Sequence, residues 1–220
     1  AFDEWYRKYA PTEMKDTRLC LAFVQDPGTL HSKKKIVLPS DLSGLKVRPA
    51  QSGVAEMIKL LGGANVQASA PESRDALERG VADALAFPWG SLFLFGIDKA
   101  VKYHIDVALY TQVFTFNVNT RVYNSMSEAQ KKVLDDHCSP EWSMKISEPS
   151  TEFEINGRTR MKALADHEIY KLTDDQLAQW KKVVEPLHES WAEAVKKVGS
   201  DPAQIDADLQ AAIKKYNAGI

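Results

Sequence analysis

The stretch from Asp41 to Pro88 most narrows what this chain can fold into. It reads DLSGLKVRPAQSGVAEMIKLLGGANVQASAPESRDALERGVADALAFP. A short apolar run, Leu45 and Val47, stops at Arg48 and Pro49. Val54, Ile58 and Leu61 then recur at helical spacing with Met57 beside them, and Gly62 and Gly63 end the pattern. Asn65 to Ala68 reads as a second strand. Ser69 and Glu72 have capping-box spacing, Pro71 lies in the first turn, and the helix they open runs to Gly80. Val81 to Phe87 is a third strand, closed by Pro88. Strand, helix, strand, helix, strand implies parallel pairing through right-handed crossovers, hence an α/β fold.

In open sheets of this kind ligands gather beyond the carboxyl ends of the strands. Arg48 stands at one such end, and Phe87 and Trp89 stand at another. Ser52 opens a helix just after Arg48. A guanidinium fork beside a helix N-terminus suits a carboxylate, because the hydrogen bonds and the dipole act in one sense. Position alone favours the plainer reading of Arg48 as a solvated strand-end arginine.

The 220 residues allow one large domain or two small ones, and the net charge of −2 carries no basic patch. Lys33, Lys34 and Lys35 read as a solvated turn rather than a nucleic-acid site. Cys20 and Cys138 fit either one disulfide or two buried thiols, and neither has zinc-site spacing. The most apolar stretch, Ala84 to Ile97, contains Pro88 and two glycines and is too short to span a bilayer. GxSxG, P-loop, GxGxxG and HExxH patterns are absent, and no catalytic residue, metal site or cofactor is expected. His104 and Asp106 share one face of an extended run but have no nucleophile paired with them, so they read as structural.

Around this centre, Ala1 to Tyr9 reads as a helix with Phe2, Trp5, Tyr6 and Tyr9 on one face, ending before Pro11. Thr17 to Val24 is a strand. Gln25 to Lys35 reads as loop around Pro27 and Gly28, and His31 sits in it. A lone loop histidine is more often solvated than bound, yet His31 remains a secondary ligand candidate. Ile36 to Leu38 fits a short strand. Gln112 to Asn119 alternates, with Phe114, Phe116 and Val118 on one face. Ser127 and Gln130 open a helix through His137. From Ser139 the chain reads as helical almost to its end, broken or kinked at Pro149, Gly157 and Pro186, with further helices opened by Thr173 and by Asp201 and Pro202.

DLSGLKVRPA, LLGGANVQASAPESRDALERGVADA, FPW and FNVNTRVYNSMSEAQKKVL together resemble the solute-binding proteins of tripartite ATP-independent periplasmic (TRAP) transporters. The motifs are the DLxGLKxR strand ending in arginine, the glycine–strand–helix progression after it, and the strand ending at Asn119 before Ser127-Glu128-Ala129-Gln130. The resemblance implies a periplasmic-binding-protein-like α/β architecture of two lobes hinged around a cleft, with long C-terminal helices. It assigns residues 1–25 and 109–150 to the first lobe. Residues 26–108 and 151–220 go to the second lobe and C-terminal helices. Relatives start with a signal peptide and an N-terminal half-domain with no counterpart in this sequence, so the first lobe is expected to be incomplete.

The resemblance also implies a periplasmic, non-enzymatic receptor that closes over an organic acid and hands it to the membrane subunits of a permease. The matching arginine, Arg48, would hold the acid by a two-pronged salt bridge. Where many relatives carry a polar QENP segment this chain has Leu85-Ala86-Phe87-Pro88, with Trp89 next. Together with Phe114 and Phe116 that favours an aromatic or otherwise apolar monocarboxylate. The alternatives are a sensory ligand-binding domain on the same lobes and, further off, a small-molecule enzyme.

Overall fold

The structure, a computed structural model, describes residues 1–219. The chain divides into two compact units, one made of Ala1–Gln25, Val113–Thr151 and Ala194–Ile220, the other of Asp26–Gln112 and Glu152–Glu193.

The second unit is built on a six-stranded mixed sheet. Its strands are β2 (Thr29–Ser32), β3 (Lys46–Arg48), β4 (Ala64–Asn65), β5 (Ala84–Phe87), β6 (Tyr103–Ile105) and β8 (Glu168–Tyr170), in the order β4-β3-β5-β2-β6-β8. The strand–helix–strand reading holds here: β3 pairs in parallel with both β4 and β5. The crossovers are α2 (Ser52–Leu60) and α3 (Ser73–Glu78). Val54, Met57 and Ile58 bury the inner face of α2, and Gly62 ends that turn at φ +78°. The second strand of the unit is shorter than its apolar run suggested, two residues rather than four. Ser69 and Glu72 do bond, but Glu72 accepts from the Ser69 amide and hydroxyl in a turn that precedes α3.

Three segments depart from the sequence expectation. Gln25 to Lys35 is not all loop. Thr29–Ser32 is β2, a fully buried strand antiparallel to β5 on one side and β6 on the other. Its polar side chains disguise it, yet they are satisfied internally; Thr29 Oγ1, for instance, donates to Ile105 O at 2.7 Å. Ile36 to Leu38 forms no strand and leads into a 3-10 turn, Pro39–Leu42. Glu168–Tyr170, read as part of the helical tail, is the edge strand β8, parallel to β6.

The first unit holds a two-stranded antiparallel ribbon of β1 (Thr17–Val24) and β7 (Val113–Asn119). A bulge between Leu19 and Leu21 shifts the register, and beyond it Leu21, Ala22 and Phe23 are buried in succession, so both faces of the strand are covered there. Helix α1 (Phe2–Glu13) runs through Pro11 instead of stopping before it. Asp3, almost buried on α1, ties the helix to the ribbon by accepting from the Ala22 amide, the Ser143 hydroxyl and Arg7. After α5 (Thr120–Ser125), α6 (Glu128–His137) starts on the expected capping box. Cys20 and Cys138 form a disulfide, which joins β1 to the end of α6.

Helix α7 (Pro140–Lys162) is unbroken, although Pro149 and Gly157 both lie inside it. Gly157 serves packing rather than breakage: a Cβ there would come within 2.2 Å of Gly90 Cα. Its C-terminal half thereby lies flush against α4 (Trp89–Leu94). Helices α8 (Asp174–Val184), α9 (Pro186–Lys197) and α10 (Pro202–Tyr216) follow. The C-terminal helices do not all join the second unit, since 194–220 group with the first and 109–112 with the second. The reason is α10, which docks on α1: Trp5 Nε1 donates to Ile205 O at 3.1 Å, Asp208 accepts from Lys8 and Tyr9, and Glu4 accepts from Lys215 and Tyr216. Asn217, at φ +49°, ends that helix in place of Gly219.

Two outcomes test this packing. The chain between Cys20 and Cys138 spans 118 positions, so replacing both by Ser should lower stability by roughly 2–5 kcal/mol in urea titration. An unchanged midpoint would contradict the bond. Gly157→Ala should cost about 1–3 kcal/mol or more, because backbone rather than a flexible side chain stands in the way.

Candidate functional site

Arg48 pairs in parallel register with Leu85 on β5. Paired residues point to one face, and Phe87, two residues beyond Leu85, points to that same face. The pairing therefore brings Arg48 and Phe87 together: the guanidinium carbon lies 5.2 Å from the Phe87 ring centroid. Arg48 Nε donates to Ala68 O at 3.0 Å. Its two Nη groups have no partner among the described residues and are not buried. Burial lowers the Arg48 pKa, and neighbouring Tyr110 works against that shift. A guanidinium stays charged at neutral pH regardless. Gln51 precedes α2 without capping it through its side chain, so the first amides of that helix, starting four residues past Arg48, have no side-chain acceptor among the described residues.

Tyr110 and Glu154 complete the surroundings, and the sequence reading assigned neither a role. Tyr110 is held by a bridge to Gly28. Burial pushes its phenol pKa upward; Arg48 pulls it down and Glu154 adds to the rise. Glu154 is buried on α7, where Glu154, Gly157 and Met161 form one inward row. That spacing of i, i+3 and i+7 was a signal in the sequence, masked because the first member is charged. Its carboxylate accepts from the Gly90 and Ser91 amides and, at 2.6 Å, from the Ser91 hydroxyl. It thus caps the short helix α4 that follows Pro88. Burial raises its pKa, the three hydrogen bonds lower it, and Asp26 raises it again.

The other expected site residues fall elsewhere. Trp89 is 3% exposed, its ring edge-on to His31 at 4.9 Å and tilted against His104 at 5.6 Å. It belongs to the core of the second unit rather than to an open surface. Phe87 is likewise nearly buried, and only its contact with Arg48 links it to the site. Phe114 and Phe116 lie in the first unit on β7, where Phe114 stacks on Phe23 at 5.3 Å and Phe116 meets that ring edge-on at 5.6 Å.

His31 has no ring nitrogen free for a ligand. It is fully buried on β2 with both ring nitrogens engaged: Nε2 to Phe87 O at 3.0 Å and Nδ1 to His104 Nδ1 at 2.7 Å. His104 Nε2 continues to His167 Nδ1 at 2.9 Å. A carbonyl only accepts, so His31 Nε2 carries a proton and Nδ1 does not. His104 must then donate from Nδ1 and accept at Nε2, and His167 must donate from Nδ1. His31 and His104 fit as neutral, singly protonated imidazoles with their hydrogen bonds running in one direction. Burial depresses His31 to about 3, against a smaller upward pull from the Phe87 carbonyl, and His104 to about 2, with its two histidine neighbours adding to the fall.

The sequence model described as "Bacterial extracellular solute-binding protein, family 7" (DctP) matches residues 8–194. Solved structures agree. A TRAP solute-binding protein from an unidentified marine-metagenome microbe, described as specific for aromatic acid ligands and holding metahydroxyphenylacetate, superposes with a TM-score of 0.86 at 28% identity, over 97% of this chain and 69% of its own. One from Rhodoferax ferrireducens T118, in complex with copurified benzoate, gives 0.88 at 26% identity over 98% and 68%. At 23% identity, a TRAP periplasmic solute-binding protein from Bordetella bronchiseptica with bound mandelate gives 0.86 over 97% and 69%, and supports the fold alone.

The histidine series makes a pH prediction. Unfolded histidine titrates near 6.5, whereas His31 and His104 refuse protons until about 3 and about 2. Stability is therefore full above pH 6.5 and falls as pH drops below it, by about 1.4 kcal/mol per pH unit per histidine. Unfolding free energy should fall by roughly 3–4 kcal/mol between pH 7 and pH 5. A flat profile over that range would refute the neutral series.

Proposed function

Because the chain belongs to the bacterial extracellular solute-binding proteins of family 7, the receptors of TRAP transporters, we propose that it binds an aromatic or otherwise apolar monocarboxylate through Arg48. The observation that carries this reading is the Arg48 guanidinium, anchored at Nε with both Nη groups free above the Phe87 ring. A fork held on one side and open on the other accepts a carboxylate bidentately, and the aromatic face beneath adds apolar contact. Phe87 and Pro88 offer no side-chain donor for a ligand hydroxyl, and the indole N–H of Trp89 belongs to a side chain only 3% exposed, which disfavours sugar acids.

Two neighbours above 25% identity hold metahydroxyphenylacetate and benzoate, in line with this ligand class. The protein works by reversible capture, with no bond made or broken, and delivers its ligand to the membrane subunits of a TRAP permease. No described helix is long and apolar enough to cross a membrane. A periplasmic setting fits the Cys20–Cys138 disulfide, since such bonds persist in oxidising compartments.

A thermal-shift panel running from benzoate to dicarboxylates and sugar acids tests the ligand class. A true ligand at a hundred times its Kd should add about 2.7 kcal/mol of stability. A response to dicarboxylates or sugar acids alone would discard the apolar pocket. Arg48→Ala should weaken benzoate binding by about 100-fold or more while leaving the unfolding transition near its original position. Unchanged affinity in that variant would remove Arg48 from the site.

A further inference from the structure

We propose that the Tyr110 hydroxyl is the second donor to the ligand carboxylate, acting beside the Arg48 guanidinium as a specificity-determining group. The inference rests on the carboxylate-receptor reading above and deepens it.

Tyr110 is 9% exposed and its hydroxyl is buried, yet that oxygen has no hydrogen-bond partner among the described residues. A buried hydroxyl left without a partner is costly, and a fold keeps one where something outside the fold completes it. The position is firmly built. Gly28 N donates to Tyr110 O at 2.9 Å, Leu109 N donates to Gly28 O at 3.0 Å, and the ring lies so close to Gly28 that a Cβ there would fall 2.3 Å from Tyr110 Cζ. Any side chain at position 28 would push the ring away.

The nearby charged groups show which partner is lacking. Glu154 influences Tyr110 through space, but its carboxylate is committed to Gly90 and Ser91. Asp26, which adds to the rise at Glu154, is offset in turn by Arg158. Gln51, three residues past Arg48, donates from Nε2 to the carbonyl of Thr111, next to Tyr110, at 3.4 Å, and Arg48, which acts on Tyr110, carries Nη donors with no partner among the described residues. An acceptor of negative charge beside Arg48 would satisfy the phenol at the same time. A carboxylate offers about four lone-pair sites, enough for two guanidinium N–H groups and one O–H. Burial keeps the phenol protonated and therefore able to donate. Donors alone, cationic and neutral, favour an ionised carboxylate over the matching amide, whose NH2 would face the guanidinium.

The test is Tyr110→Phe, which removes one oxygen, compared with Arg48→Ala and the unaltered protein. Two readouts are taken: benzoate affinity by calorimetry and ligand-free thermal stability. The expected result is benzoate binding weakened about tenfold or more, with ligand-free Tm unchanged or raised, because an unsatisfied hydroxyl has gone. Affinity within twofold of the original overturns the proposal. So does a fall in ligand-free Tm, which would show that the hydroxyl serves the fold. If Arg48→Ala loses benzoate while Tyr110→Phe keeps it, only the Tyr110 assignment fails. If Arg48→Ala binds benzoate normally, or the unaltered protein binds no carboxylate, the receptor reading fails and this inference with it.

Discussion

The parallel pairing of β3 with β5 is the constraint on which the candidate site depends. It sets Val47 against Ala84 and Arg48 against Leu85. Because side chains alternate along a strand, that register sends Val47, Ala84 and Ala86 into one apolar cluster. Leu85 and Phe87 go into the other. Arg48 is left at the strand end on the Phe87 face. A slip of one residue would turn Arg48 toward the Val47 side and separate it from the ring. The register is pinned by burial: Val47, Ala84, Leu85 and Ala86 are wholly inaccessible, so any shift would expose or clash a full row.

The far side of β5 is fixed by a polar device. His31 donates to the Phe87 carbonyl, and His104 and His167 extend the series. Glu154 binds the amides just past Trp89. The backbone from Phe87 to Ser91 is thus held at both ends by buried polar groups bonded within the fold. Arg48 and Tyr110 differ. They keep donors without a partner among the described residues, as Arg158 does at Nε.

Much of this was legible in the residues. The alternation from Asp41 to Pro88 yields the β3-α2-β4-α3-β5 unit and places Arg48 beside a helix start. The Ser127 and Thr173 capping boxes form as expected, because their reciprocal bonds involve only four consecutive residues. What could not be read were features whose satisfaction comes from afar. Strand β2 looked like loop because Thr29, His31 and Ser32 are polar, and the partners of Thr29 and His31 lie more than seventy residues along the chain. Pro149 and Gly157 looked like helix breakers, but Gly157 is needed for contact with Gly90, sixty-seven residues earlier in the chain.

By itself the sequence determined the α/β class and the parallel unit that ends in Arg48, which rest on periodicity and local chemistry and need no distant partner; the family was legible through the resemblance of its motifs. Only the tertiary structure decided that His31 and Trp89 are core, that α10 returns to α1, that Cys20 and Cys138 are joined, and that Tyr110 holds an unspent hydroxyl near Arg48. Each of these depends on contacts between residues dozens to two hundred positions apart, and whether a polar group is satisfied is a property of what surrounds it in space.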